Sequence, residues 1–233
     1  MTAGRMVVAA VVLVVLVVAV GVLLLPDDDG TTVVDTGATS TSTEGDGADD
    51  VQTDPIWTAP ASVTDPEMAA IVFAADVLGI ADPVWVASGP LDPDDPTGAA
   101  IAVTVAPGGT GPPTTIGVTG GGSSPFEVLG AISETIEVST PTAGGTVAAP
   151  VEVVGTSDTF EGNVVVDLRL PGDAEPLART FATGGANGTP GPFSVTLELT
   201  TEVSGPVVLV VLDPDQSGAG GALTAVAIPV TLQ

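Results

Sequence analysis

The hydrophobic pattern opens with an uninterrupted apolar run from Met6 to Leu25, with Arg5 before it and Pro26 and a row of aspartates after it. At about 1.5 Å per residue, a helix of this length covers the roughly 30 Å hydrocarbon layer of a bilayer. The pattern predicts a transmembrane helix at 6–25. Because Arg5 is the only base near the run, we expect residues 1–5 in the cytoplasm and the remainder outside.

A cleaved signal peptide is the alternative interpretation of this run. Its apolar core would usually span about 7–15 residues and end at a small-x-small site. Here the small residues Ala19 and Gly21 lie inside the run, and Val22–Leu25 continue it. The length favours an anchor, and cleavage stays open on the sequence alone.

Residues 26–63 show almost no apolar periodicity and consist mainly of Thr, Ser, Asp and Gly. Such a composition cannot bury enough apolar surface to offset the entropy cost of ordering the chain. We expect a disordered, self-repelling stalk, with glycosylation of its hydroxyls left open. Ile56 and Trp57 form an apolar pair near its end, and we expect this pair to dock on the domain that follows.

A helical pattern starts at Thr64, which has the spacing of a capping box with Glu67, and Pro66 lies in the first turn. Gly79 supplies a stop signal. Five apolar residues recur at helical spacing, and we expect them to form the core face of the helix: Met68, Ile71, Val72, Ala75 and Leu78.

Strand-like runs follow at 99–106, 114–119 and 126–132, separated by Gly-rich turns. Together with the helix, they predict a small α+β domain at 64–132. In this domain, one helix would cover a sheet of three or four strands.

From Thr135 onward, short runs alternate between apolar and polar residues with turn residues between them. Seven strands are predicted, near 136–139, 151–155, 164–170, 177–183, 193–199, 207–211 and 226–230. Seven short strands in about a hundred residues are typical of an immunoglobulin-like sandwich. The predicted fold class is mainly β: a C-terminal immunoglobulin-like β-sandwich at 134–233, preceded by the small α+β domain, with an N-terminal transmembrane helix.

Charge restricts the partners that such a protein can have. The chain carries 29 acids and 3 bases, for a formal charge of −26. The three bases are Arg5, Arg169 and Arg179, so only two accompany the acids outside the cell. A surface of this kind repels phosphate backbones and anionic lipid, and we expect no binding to nucleic acid.

The residue inventory also restricts catalysis, because His, Cys, Tyr and Lys are absent from the chain. Triads based on His or Cys, zinc sites of the His/Cys kind and lysine Schiff bases are therefore excluded. We expect a non-catalytic protein with no cofactor. The alternative is an extracytoplasmic ligand sensor or carboxylate-dependent enzyme using the 64–132 domain, which a deep pocket with two or more buried acids would favour.

One stretch has part of the pattern of a calcium loop. Asp213, Asp215 and Ser217 place side-chain oxygens at the first, third and fifth positions, and Gly218 follows at the sixth. The twelfth position is Thr224, where a bidentate Glu belongs. The stretch is thus a weak calcium candidate, and a polar turn between the last two strands is the simpler interpretation.

Several segments of the C-terminal region follow one another in a characteristic order: Ile136–Pro141, Val147–Val151, Val153–Gly155, Phe160–Gly162, Gly191–Phe193, Asp213–Gly218 and Ala227–Val230. In order and spacing, they resemble the immunoglobulin-like domain associated with bacterial spore germination, over roughly residues 134–233. The resemblance implies an exported adhesive or scaffolding module, with no catalysis and no known binding residues. The preceding helix and Val128–Ala131 resemble the segment before this domain in actinobacterial membrane proteins.

These features predict a single-pass bacterial membrane protein with its folded parts outside the cell. We expect it to bind or scaffold at the cell envelope, with an envelope protein or a wall polymer as its partner. A cation-dependent adhesion module is a further hypothesis, which depends on the calcium candidate.

Overall fold

A computed structural model of the protein describes residues 54–95, 97–217 and 221–233. The predicted tail (1–5), transmembrane helix (6–25) and stalk up to residue 53 lie outside these ranges. Within the described ranges, no helix is both long enough and apolar enough to cross a bilayer. The described residues belong to one compact unit, and the domain boundary predicted between residues 132 and 134 falls inside it.

The described residues form a mainly β structure. In chain order, its elements are β1 (Trp57–Thr58), α1 (Pro66–Asp76), β2 (Pro83–Pro90), β3 (Ala100–Pro107), β4 (Thr114–Gly121), β5 (Ser124–Ser133), β6 (Ile136–Thr140), β7 (Thr146–Val147), β8 (Val151–Thr159), β9 (Asn163–Arg169), β10 (Pro176–Thr183), β11 (Gly185–Ala186), β12 (Gly191–Leu197), β13 (Gly205–Pro214) and β14 (Ala222–Leu232).

Ten of these strands form one continuous sheet. Its order is β10-β9-β13-β14-β5-β4-β3-β2, with β1 beside β5 and β7 beside β14. A second sheet consists of β6, β8, β11 and β12. The seven predicted sandwich strands correspond to β6, β8, β9, β10, β12, β13 and β14, and the two sheets enclose their shared core.

The core between the two sheets is built from alternating residues of the long strands. Val164, Val166 and Leu168 of β9 belong to it, together with residues of β8, β12, β13 and β14. Within the second sheet, β8 is crowded by its two neighbours at Gly155, where an added Cβ would lie 2.1 Å from the Glu137 carbonyl oxygen of β6 and 2.7 Å from the Phe193 ring of β12. Only glycine fits at this position of the sandwich.

A second core lies on the other face of β9, β13 and β14. Helix α1 and strands β3, β4 and β5 bury their apolar residues there, against Val165 of β9 and Val208 and Val210 of β13. The middle strands are consequently buried on both faces, which is the pattern of a covered sheet rather than of a half-exposed one. The predicted α+β region and the sandwich therefore share one sheet, with a separate core on each face of its middle strands.

Helix α1 begins one residue later than the capping-box pattern predicts. Asp65 is the N-cap, with its carboxylate accepting a hydrogen bond from the Met68 N–H at 2.7 Å, and Pro66 occupies the first helical position. The predicted stop is confirmed, since Gly79 has a φ of +73°.

The buried face of α1 differs from the predicted one. Leu78 is buried and Ile71 packs at the edge of the core, whereas Met68 is 45% exposed and Ala75 is exposed. The residues that α1 itself buries are Ala69, Ala70, Phe73 and Ala74. Apolar residues surround this helix on nearly every side, so spacing alone does not select its inner face. The small alanines allow it to approach the sheet.

The structure differs from the sequence prediction at the start of the ordered region and at strand β2. Ile56 is buried, and Trp57 pairs with Val128 and packs on Phe73 with ring centroids 5.7 Å apart. The pair docks as expected, and ordered structure therefore begins well before residue 63. Strand β2 was not predicted, because its apolar residues are consecutive and Pro and Gly interrupt the pattern.

The seam between β5 and β14 is short. The two strands pair at Ala131 and Ala227, and an added Cβ on Gly130 would lie 3.0 Å from the Ala227 carbonyl oxygen. Hydroxyl groups extend the seam, since Thr224 Oγ1 lies 2.8 Å from Thr114 Oγ1 and 2.9 Å from Ser133 Oγ.

Truncating Phe73 to alanine tests which face of α1 is buried. Phe73 is 1% exposed, so we expect Phe73→Ala to lower the free energy of unfolding by about 3–5 kcal/mol. Met68→Ala on the same helix is the matched control, with an expected loss below about 0.5 kcal/mol. Urea unfolding of the full-length chain, followed by circular dichroism, measures both. Equal losses would contradict the helix orientation.

Candidate functional site

The first residue of the calcium candidate, Asp213, lies at the end of the sandwich core. Val207, Leu209 and Val211 of β13 belong to that core, and Asp213 continues their row. The residue is 4% exposed, although it is an acid at the end of a strand. Its antiparallel partner on β14 is Thr224. The strand pattern therefore directs this carboxyl inward rather than into the turn.

Burial raises the pKa of the Asp213 carboxyl to about 6, and the negative charges of Asp158 and Asp215 act in the same direction. A hydrogen bond from the backbone N–H of Phe160 opposes this shift by stabilising the carboxylate. Asp158 is itself engaged, because its Oδ1 accepts the Gly188 N–H at 2.8 Å. Asp213 is thus a buried acid that titrates within the ordinary pH range.

Asp215 and Ser217 form hydrogen bonds with each other. Asp215 Oδ1 accepts the Ser217 N–H and Oδ2 accepts the Ser217 hydroxyl, each at 2.8 Å. The backbone hydrogen bond from Ser217 is the main reason why the pKa of Asp215 lies below its usual value. These bonds form a local turn of the kind that Asp and Ser favour. Gly218 lies outside the described residues.

No larger acidic cluster accompanies the calcium candidate in the described part of the chain. Among the described residues, no three Asp or Glu side chains lie close enough together to hold a metal ion. Thr224, at the twelfth position, lies 3.1 Å from the Pro113 carbonyl oxygen and joins the seam hydroxyls. Calcium binding by Asp213, Asp215 and Ser217 therefore stays a prediction.

A charge cluster that the sequence analysis did not identify lies in the second core. Asp167 of β9 is fully buried, and both of the described arginines bind its carboxylate. Arg169 Nη2 donates to Asp167 Oδ2 at 2.5 Å, and Arg179 Nε donates to Oδ1 at 2.7 Å. The signal was available in the composition, because two bases among so many acids are expected to be bound by acids.

Arg169 also connects the sandwich to the helix. Its Nη1 donates to the carbonyl oxygen of Val77, the C-cap residue of α1. The last carbonyls of a helix lack partners within the helix and carry partial negative charge, so a buried guanidinium stabilises this end. The interaction joins residues 92 positions apart in the chain. Asp167, Arg169 and Arg179 are therefore structural residues of the shared core.

The outer edge of the ten-stranded sheet is a different kind of surface. Strand β2 pairs with β3 on one side, and no strand of the described structure pairs with its other side. Val84, Trp85 and Val86 are 46%, 49% and 49% exposed. Three consecutive large apolar side chains at an unpaired edge form a surface suited to binding another chain. We call Pro83–Pro90 the β2 edge.

A shallow apolar groove lies on the sheet face opposite α1, along the β5–β14 seam. Leu91, Leu129, Ile132, Ile228 and Pro229 are among its lining residues. Gly117 and Gly130 leave room for it, because they have no side chains on this part of the sheet. The groove is open, and nothing in the described structure covers it.

The acids of residues 64–132 do not form an enclosed site. None of them is among the buried residues of the described structure. Asp65 caps α1, and Glu67 Oε1 accepts the Ser88 hydroxyl at 2.9 Å. Asp92 and Asp95 accept hydrogen bonds from their own turn. The deep acidic pocket that would favour a sensor or a carboxylate enzyme is not found among these residues.

The Asp213→Asn substitution tests the buried carboxyl through pH. Because the pKa is about 6 in the folded chain and about 4 when unfolded, the folded state binds more protons between these values. The wild-type protein therefore loses stability as pH rises through this interval, whereas the Asn variant does not. We expect equal unfolding free energies near pH 4 and an advantage of about 2–3 kcal/mol for Asn at pH 7, measured by urea unfolding.

Asp215→Asn is the matched control for this titration. Its carboxylate is exposed and its pKa is lowered, so the Asn variant should gain nothing as pH rises. Parallel stability curves for wild type and Asp213→Asn from pH 4 to 7 would contradict the assignment.

Removing Arg169 tests the buried charge cluster. Arg169→Leu leaves Asp167 with only the half-exposed Arg179 and leaves the Val77 carbonyl without its buried cation. We expect a loss of about 3–5 kcal/mol in unfolding free energy. Arg179→Leu should cost less, and Asp167→Leu combined with Arg169→Leu should recover part of the loss. Equal losses for the two single arginine variants would contradict this role.

Comparison with known proteins agrees with the architecture. Residues 135–220 match the family model of the immunoglobulin-like domain of bacterial spore germination. The matched segment begins just before β6 and extends through β13, so it covers most of the sandwich. No curated protein and no solved structure matched the chain. The resemblance found in the sequence is confirmed: over residues 135–220, the C-terminal sandwich of this chain is similar to the immunoglobulin-like domain of bacterial spore germination.

Proposed function

We propose that this chain is a membrane-anchored, extracytoplasmic, non-catalytic protein that binds or scaffolds a partner at the bacterial cell envelope. The observation that carries the binding role is the β2 edge, where large apolar side chains are exposed on a strand whose outer side pairs with no strand of the described structure. The apolar run at 6–25 supports the anchor, and the acid-rich segment after it supports display away from the membrane.

The shared core supports a binding role in a second way. Because α1, β3–β5 and the sandwich pack on the same middle strands, and β2 pairs with β3, the β2 edge is attached to a body held by two apolar cores. A rigid support lowers the entropy cost of binding, since the edge needs little ordering when a partner arrives.

The sensor or enzyme alternative has less support, because no acid of 64–132 is buried within the described structure. The cation-dependent alternative also has less support, because Asp215 and Ser217 hydrogen bond to each other. The family match describes the sandwich and assigns no binding residue or biological process.

Exposure on whole cells tests the location. We expect protease added outside intact cells to digest residues 54–233 while a cytosolic control protein survives. The undigested chain should remain in the membrane pellet after an alkaline wash, because an apolar helix is not extracted by breaking charge interactions. Survival of the folded body in sealed cells, or its release by the wash, would contradict the proposed topology.

A photo-crosslinking amino acid in the full-length chain tests the binding role in the cell. Placed at position 86 on the β2 edge, it should crosslink to one dominant envelope component. Placed at position 181 on β10, at the opposite edge of the sheet, it should not. Phe181 is 62% exposed, so the control position is at least as accessible to a partner. Identical crosslinks at the two positions, or none at either, would contradict the proposal.

A further inference from the structure

No residue of the β2 edge is charged, in a chain that carries 29 acids, and the acid that touches it is Glu67 of α1, which accepts a hydrogen bond from Ser88. Edge strands of natural sheets are commonly protected by charged residues, by proline or by bulges. Here Pro83 and Pro90 stand at the two ends, and an irregular step lies between Trp85 and Ala87. The prolines and the irregular step limit pairing to a short segment, and no charged residue within the strand opposes pairing there.

Acids lie at both ends of this apolar segment. Asp82 directly precedes the strand, and Asp92, Asp94 and Asp95 follow within the next turn. Hydrogen bonds from the hydroxyl and the N–H of Thr97, at 2.7 and 2.8 Å, lower the pKa of the Asp95 carboxyl. The β2 edge is therefore an apolar surface with acidic residues at each end of the strand.

No base of the described chain neutralises these acids. Arg169 and Arg179 are the only bases in that part of the chain, and both bind Asp167 in the second core. The acids beside the β2 edge are therefore left to solvent, counterions or the basic groups of a partner. Complementary charge favours the last of these when the partner is a polypeptide.

Pairing of two copies through this edge is electrostatically disfavoured. In an antiparallel pair of β2 strands, the start of one strand lies beside the end of the other. Asp82 of each copy would then approach Asp92, Asp94 and Asp95 of its partner, and like charges placed across strands are destabilising. The same ends would attract a strand that carries Lys or Arg at its termini.

We infer that the β2 edge accepts an extended segment of a partner protein as an added strand, with apolar side chains at its centre and basic side chains at both ends. Backbone hydrogen bonds to the free side of β2 supply affinity, while contacts with Trp85 and Val86 supply specificity. Trp85 offers a large apolar area to the partner at low entropy cost. The inference rests on the proposed function and names the chemistry of its partner.

Short fluorescent peptides test this chemistry on the full-length chain in a non-ionic detergent. The probe alternates Val and Thr and carries a Lys at each end, and its matched control carries Glu at each end. We expect the Lys-ended peptide to bind at least about tenfold more tightly at low salt, by fluorescence anisotropy, with the ratio falling in molar salt. Equal affinities at low salt would overturn the inference.

Two variants locate the binding. Val86→Asp places a charge on the β2 edge, and we expect it to weaken the Lys-ended peptide by about tenfold or more. Phe181→Asp makes the same change at the opposite edge of the sheet and should leave affinity unchanged. In a Trp57→Phe background, Trp85 emission should shift to shorter wavelength on binding. Unchanged urea midpoints for both Asp variants exclude unfolding, and an equal effect of both variants would overturn the assignment.

The outcomes separate this inference from the proposed function. A crosslink at position 86 in cells, without preference for the Lys-ended peptide, would reject the basic strand and retain the binding role. If neither the crosslink at position 86 nor the preference for the Lys-ended peptide is observed, the inference and the proposed function are both rejected. Sedimentation that shows a dimer of the full-length chain, dissociated by Val86→Asp, would identify a second copy as the occupant and overturn the inference.

Discussion

The structure depends on three middle strands, β9, β13 and β14, that are buried on both faces. One row of their residues forms the sandwich core, and the other row supports α1 and β3–β5. Neither side can be removed without exposing apolar surface of the same strands to water. Asp167 and Arg169 lie within this shared layer, and the bond from Arg169 to the Val77 carbonyl fixes the end of α1 to it. The two halves are therefore one folding body.

The placement of charge follows from this arrangement. Both described bases are taken up by one buried carboxylate, because an unpaired charge in the core would be costly. Glu175 also acts on Arg179 through its charge, and the excess of the other acids keeps the surface of the described chain negative. Against this background, an uncharged edge with exposed Trp85 is the exceptional surface. Asp213 is the exceptional acid, since its burial at the end of the sandwich couples stability to pH.

The proposed binding surface is an exposed strand, the β2 edge. Immunoglobulin-like sandwiches are a scaffold on which function depends on added features. Here the added feature is the N-terminal extension of the sheet. Strands β5, β4, β3 and β2 continue the sheet beyond β14, so β2 rather than β14 is its edge strand. The family of the sandwich accounts for its architecture, while the extension supplies the exposed strand.

The sequence by itself determined the strands of the sandwich, the position of α1, its Gly79 stop and the docking of Ile56 and Trp57, because these depend on local periodicity and turn residues. Only the tertiary structure decided which side of α1 is buried, since Ala69 and Met68 are equally apolar neighbours in the pattern. It also brought Arg169 and Arg179 to the buried carboxylate of Asp167. Those outcomes depend on which elements pack against each other. A hydrophobic pattern that repeats every two or four residues shows which face of an element is apolar, but it does not specify the element that covers this face.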